Sequence, residues 1–149
     1  MESARVLLPP PISTNHLFAN VPGRGRITSK EYQAWKKAAA QLLTAQRCPR
    51  FTTPVYISIM VGEVDVGAAM DSDNTLKAAI DALKGAQIIV DDNRRWVRSS
   101  RATWIPGFRG MVAIVAPATE PPTADELRRT IQSSLWEAMQ ATSKIRRDR

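Results

Sequence analysis

Between Pro54 and Gly62 apolar side chains fall on every second residue, Val55, Ile57, Ile59 and Val61, with Tyr56, Ser58 and Met60 between them. A period of two marks a strand with one buried face. Such a strand must join a sheet and have that face covered by another layer. Material for the cover lies on both sides. Upstream, Thr28 and Glu31 form a capping-box pair, and Tyr32, Trp35, Ala39, Leu42 and Leu43 recur at helical spacing. That spacing predicts a helix to about residue 46, ended by the Cys48-Pro49 step. Lys30, Lys36 and Lys37 lie off its apolar stripe. Downstream, Leu76, Ala79, Ile80 and Leu83 predict a second helix from Asp73 to Lys84, with Gly85 as its C′ residue.

The remaining segments fill in a mixed sheet. Ala4 to Leu8 read as a short strand stopped by the run Pro9-Pro10-Pro11, because proline removes backbone donors. Residues 13 to 27 read as a polar, glycine-containing loop. Ile88, Ile89 and Val90 read as a strand with Asp91-Asp92 at its end, Trp96-Val97 as the strand that returns, and Met111 to Val115 as the last strand, after the Pro106-Gly107 break. A second capping box, Thr123 to Glu126, opens a C-terminal helix with Leu127, Ile131, Leu135 and Met139 at i, i+4 spacing, followed by a basic tail. The expectation is an α+β fold, roughly β-α-β-α-β-β(-β)-α, with helices packed on a mixed sheet. With 149 residues and 44% hydrophobic content, one domain spanning residues 1–149 is expected, with 123–149 a helical extension.

Cys48 is the single cysteine, so a disulfide framework or a thiolate zinc site within one chain is excluded. No run of 18 apolar residues occurs, and Arg5 and the prolines interrupt any signal-peptide core, so a soluble, cytoplasmic protein without a membrane partner is expected. The charge is unevenly spread. Residues 62 to 92 hold seven acids against Lys77 and Lys84, a balance of −5 inside a chain of net +7, so the rest carries +12. An acidic island in a basic chain suits an enzyme that grips nucleic-acid phosphates and holds a cation where it cuts. Scattered surface charge accounts for the composition equally well. The guanidiniums concentrate in Gly23-Arg24-Gly25-Arg26 and in Arg94, Arg95, Arg98 and Arg101, groups suited to phosphate contacts.

The island centres on Asp71-Ser72-Asp73-Asn74-Thr75-Leu76-Lys77 and on Asp91-Asp92. Asp71 and Asp73 straddle a helix start, where the dipole favours negative charge. Asp73, Lys77 and Asp81 share one helix face, which by itself reads as a cap and an i, i+4 ladder of a few tenths of a kcal/mol per pair. A strand returning from the helix would bring Asp92 to the cation that Asp71 and Asp73 hold. All-carboxylate ligands select hard cations, Mg2+ with Mn2+ as substitute. With a phosphodiester they imply metal-assisted in-line hydrolysis, the leaving oxygen being stabilised by metal or by Lys77. An EF-hand fails, because Leu76 stands where glycine is required and Ala82 where the bidentate glutamate falls. No phosphate-cradling P-loop is present. The D-x-D-x-T pattern of haloacid-dehalogenase phosphatases fits Asp71 to Thr75 but lacks the buried strand that should precede it. His16, the single histidine, reads as a surface residue or DNA contact.

Leu8-Pro9-Pro10-Pro11-Ile12-Ser13-Thr14-Asn15, the Asp71-x-Asp73-Asn74-x-x-Lys77 motif with Asp81-Ala82-Leu83, and Asp91-Asp92 together resemble the RusA family of Holliday-junction resolvases over roughly residues 5 to 100. The resemblance implies a small Mg2+-dependent, homodimeric endonuclease that resolves four-way DNA junctions by symmetric nicks. It assigns Asp71, Asp73 and Asp92 as essential metal-binding carboxylates, Asp91 as their neighbouring acid and Lys77 as the catalytic lysine. The sequence departs from the family where Val66-Gly67-Ala68-Ala69-Met70 replaces an arginine run before the first aspartate. Phosphate contacts then fall to Arg24, Arg26, Lys30 or the arginines of 94–101. A DNA-binding protein without catalysis, its acids serving as caps and salt bridges, is the alternative.

Overall fold

In the computed structural model, residues 2–12, 16–64, 66–67, 70, 73–119 and 132 are described, Asp73 and Asn74 by their backbone alone. The chain divides into two compact units, residues 1–118 and 119–149. The helix expected from Thr123 lies outside the described residues. Unit one is α+β. Its elements are β1 (Ala4–Leu8), β2 (Phe18–Val21), β3 (Gly25–Thr28), α1 (Lys30–Gln46), β4 (Val55–Gly62), α2 (Asp73–Gly85), β5 (Val97–Ile105) and β6 (Met111–Pro117).

Four strands form a mixed sheet in the order β1-β6-β4-β5. The alternating strand is central: β4 pairs antiparallel with β6 and parallel with β5. Its inward residues Val55, Ile57, Ile59 and Val61 are all at most 1% exposed, as are Met111, Ala113 and Val115 of β6. These meet Tyr32, Trp35, Ala39 and Leu43 of α1 and Ala78, Ala79 and Leu83 of α2 in one core. Hydrophobic burial of this kind is the main stabilising term, about 1.5–3 kcal/mol for each large side chain taken out of water.

Polar side chains finish the packing. Trp35 donates its indole N–H to the Pro10 carbonyl at 2.7 Å, which ties the proline run to α1. The Gln46 amide pairs with the backbone of Leu7 in both directions, at 2.7 and 2.9 Å. A side chain from the last turn of α1 thereby occupies part of the β1 edge, which would otherwise be open to strand addition.

Four local expectations are corrected. Residues 13 to 27 are not simply loop, because β2 and β3 pair as an antiparallel hairpin. Its turn carries Pro22 at the second position and Gly23 at φ +75°, closed by the Arg24 N–H on the Val21 carbonyl at 3.0 Å; proline and glycine at those two places favour a type II turn. The N-cap of α1 is Ser29 rather than Thr28: its hydroxyl accepts from the Tyr32 N–H at 3.0 Å and donates to the His16 carbonyl. α2 does not end with Gly85 at C′. The left-handed residue is Gln87 (φ 59°), with Gln87 N–H on Lys84 and Ile88 N–H on Leu83 in the Schellman pattern, and Leu83 and Ile88 buried together. Finally, residues 88 to 90 form no strand. Ile88 and Ile89 are buried as an apolar plug instead, with the Ile88 carbonyl accepting from the Phe51 N–H at 2.8 Å.

Candidate functional site

The parallel pair β4 and β5 requires a crossover, and α2 supplies it. The helix must therefore run back along the sheet, starting beyond the end of β4 and finishing near the start of β5. Backbone hydrogen bonds confirm the lower end: Phe51 N–H to Ile88 and Val55 N–H to Trp96 bring residues 88–96 to the beginning of β4. Asp73 and Lys84 are eleven residues apart on α2, about 16 Å of helix axis. The two halves of the acidic island are thus attached to opposite ends of one helix.

At the first end, Asp71 lies outside the described residues and Asp73 begins α2. Lys77, one turn later, is about half exposed, and its ammonium lies 3.2 Å from Asp81. The same carboxylate oxygen of Asp81 accepts from the Tyr32 hydroxyl of α1 at 3.2 Å. Burial, then the charge and hydrogen bond of Asp81, push the Tyr32 phenol up to about 12. A neutral phenol thus anchors Asp81, and Asp81 orients Lys77. The expected i, i+4 ladder is present between Lys77 and Asp81, and a contact between two helices, invisible in the local pattern, supports it.

At the second end, Asp91 and Asp92 converge on Lys84 instead of on the helix start. Lys84 Nζ is 2.5 Å from Asp91 and 2.9 Å from Asp92. The pairing pulls the Lys84 ammonium well above the usual lysine range. It holds the Asp91 carboxyl down at about 2, with the Lys84 hydrogen bond the largest cause and the Asp92 N–H the next. Asn93 buttresses the turn by donating to Asp91 and accepting from the Arg95 N–H at 2.9 Å. The convergence of Asp92 with the start of α2 depended on a strand at 88–90. In its place, residues 86–96 form turns and bends that turn the acidic pair toward Lys84. Among the described residues no three His, Cys, Asp or Glu side chains gather to hold a metal ion. The carboxylate oxygens of both ends remain a donor set chemically suited to a hard divalent cation.

The basic candidates are all exposed. Arg24 stands at the hairpin tip, and Arg26 on β3 rests over the Phe18 ring at 4.3 Å. Lys30 opens α1. Arg94 and Arg95 follow the acidic pair directly, with Arg95 over Trp96 at 5.5 Å. Arg98 donates to the Arg94 carbonyl at 3.1 Å. On the outer face of the sheet, Arg101 donates to the Ser58 hydroxyl at 3.1 Å. Three guanidiniums, those of Arg94, Arg95 and Arg98, therefore follow Asp91-Asp92 at the Lys84 end of α2, while Arg101 lies midway along β5 opposite Ser58. Lys84 itself, Tyr32 and Asp81 were not among the site residues expected from sequence. The i, i+4 relation of Lys77 and Asp81 signalled Asp81, but nothing in the order of residues signals that Lys84 reaches a turn seven residues on.

The family model described as endodeoxyribonuclease RusA matches residues 8–114. That span takes in the proline-rich start and every acidic residue of the island. No curated protein matches the chain.

Proposed function

The chain belongs to the RusA family of endodeoxyribonucleases, and from that premise we propose that it resolves Holliday junctions as a Mg2+-dependent homodimer, nicking opposed strands symmetrically. The observation that supports the reading most directly is Lys77. It is presented from the first turns of α2 beside the start that carries Asp73, and Tyr32 and Asp81 hold it there. A bound Mg2+ or Mn2+ would supply Lewis-acid stabilisation of charge on the phosphate. Asp71, Asp73 and Asp92 are the residues proposed to hold it, with Asp91 alongside. Lys77 is proposed to stabilise the leaving oxygen, its positive charge kept in place by Asp81. Arg24, Arg26, Lys30, Arg94, Arg95, Arg98 and Arg101 are proposed to grip the phosphates, which orient the DNA without reading its sequence.

The separation along α2 bears on how such a site closes. Asp92 lies with Lys84 at the far end from Asp73, so one ion shared among Asp71, Asp73 and Asp92 is best met when a second subunit brings its own Asp91-Asp92 end to the first subunit's Asp73 end. A two-fold dimer does this twice, giving the two cuts that a junction requires.

The alternative, a DNA-binding protein whose acids serve only as structural ties, draws its support from the Lys84 bridge. One experiment separates the two. A synthetic four-way junction is incubated with Mg2+ and wild-type protein, then with Asp73→Asn, with Asp92→Asn, and with the two variants mixed after unfolding and refolding together. Paired nicks are expected from the wild type, none from either variant, and single-strand nicks from the mixture, whose mixed dimers contain one intact site. No nicking by the wild type leaves only the binding reading. Nicking by the wild type without rescue in the mixture places the whole site in one chain.

A further inference from the structure

At the opposite end of the sheet from Lys84, a cavity of about 370 Å3 opens between the segment leaving β4 and the end of β5, lined by Glu63, Val66, Gly67, Met70 and Trp104. It is more than twice the roughly 150 Å3 of a cavity that holds benzene, room enough for a planar heterocycle. Its place is set by the fold. Beyond the carboxyl ends of adjacent parallel strands, where a crossover helix begins, open sheets bind their ligands. Covalent continuity sets it more closely, since Met70 immediately precedes Asp71 and successive Cα atoms are about 3.8 Å apart. Whatever occupies the cavity lies next to the strand segment that Asp71 and Asp73 are proposed to cut.

The lining selects the occupant. Trp104 is partly buried, its position in β5 paired with Val61 of β4. The lining is mixed polar and apolar, with Met70, Val66 and Trp104 the residues able to supply an apolar, polarisable surface for stacking. Glu63 is an exposed residue of the lining, and its acidic side chain disfavours a phosphate and can accept from an N–H donor. The Glu63 backbone is firmly placed: its N–H bonds Ile105 at 3.2 Å, and the neighbouring Gly62 and Val64 N–H groups bond Gly110 and Phe108 at 2.9 and 3.2 Å. Gly62 admits no side chain there, because a Cβ would come within 2.2 Å of the Phe108 carbonyl oxygen. A flat, neutral, donor-bearing group beside a DNA phosphate is a nucleobase with an exocyclic amine. We propose that this cavity receives a base flanking the cut, stacked against Trp104 and read by Glu63, so that the enzyme discriminates among bases at that position. The proposal rests on the nuclease reading for its location, and adds a specificity pocket to it.

The test uses four-way junctions carrying 2-aminopurine at single positions around the branch, bound to the intact chain without divalent cation, so that its readout is independent of cleavage. A fluorescence change at one position that Trp104→Phe preserves and Trp104→Ala removes is expected. Glu63→Gln, which keeps the shape of the wall, is expected to lower binding preference for amine-bearing bases over thymine at that position by about tenfold, the scale of one lost base contact. No position responding to binding, a response unchanged by Trp104→Ala, or a base ranking unchanged by Glu63→Gln overturns the pocket, even where wild-type nicking proceeds. If Trp104→Ala does not fold, Glu63→Gln decides alone. Absence of Mg2+-dependent nicking with the base response intact instead removes the nuclease reading and keeps the pocket.

Discussion

The two ends of α2 carry similar residues to opposite effect. Each has an aspartate and a lysine close in sequence or space, Asp73 four residues before Lys77 at the start and Asp91-Asp92 paired with Lys84 at the finish. At the start, Lys77 is taken up by Asp81, which Tyr32 of α1 holds in turn. At the finish, Lys84 neutralises the aspartates directly. The lesson is that acid count does not identify a cation site. What matters is whether a nearby ammonium has already been given another carboxylate, because a lysine bridging two aspartates must release one before that carboxylate can join a cation site.

The sharpest break of this comparison comes from the starting end. Asp73→Asn is expected to reduce nicking more than about a hundredfold, beyond the scale seen for residues that merely support metal ligands, while junction affinity measured by gel shift is retained. Cutting at the wild-type rate would show that the starting end holds no catalytic cation. At the finishing end, Lys84→Met is expected to release the acidic pair. The Asp91 pKa, about 2 in the folded chain against 3.8 ordinarily, should return toward the ordinary value when followed by carboxyl NMR. The sign follows from the depression: the Lys84 tie favours the fold fully above the unfolded-state value and loses that contribution as pH falls toward about 2. In Lys84→Met this acid dependence of stability should flatten, and if it does not, the bridge is not its cause. The smallest effect belongs to the helix terminus that aims the 86–96 connection. Gln87→Gly relieves a left-handed residue at a Schellman C′ position and is expected to stabilise the chain by about 0.5–1 kcal/mol in urea denaturation. A loss of stability would show that the Gln87 side chain makes up for its backbone.

Much of the fold was legible. The strand at 55–61 announced itself by alternation, and both helices by their apolar stripes, because burial of one face imposes a period that survives in the residue order. The β2-β3 hairpin was not legible: Phe18-Ala19-Asn20-Val21 and Gly25-Arg26-Ile27-Thr28 have no clean alternation, and Pro22-Gly23 marks a turn without saying that its flanks pair. Ile88-Ile89-Val90 misled in the other direction. A short apolar run reads as a buried strand, but its backbone here leaves α2 through a Schellman turn and the side chains of Ile88 and Ile89 fill the core from a bend. The candidate site was legible as residue types and as a family resemblance, and family membership is now established over residues 8–114. Its grouping was not, since Lys84 and Asp92 meet only because the connection closes on itself.

The order of residues alone determined the α+β class, the extent of β4 and α1, the acidic island and the basic segments around it, because each depends on local period, local charge or motif spacing. Tertiary structure alone decided that β4 and β5 run parallel, and so that α2 separates Asp73 from Asp91-Asp92. It also decided that Tyr32 holds Asp81 and that Trp104 and Glu63 face one cavity. Those relations join residues distant in the chain, and which of them come into contact is settled by how the sheet pairs and the core closes.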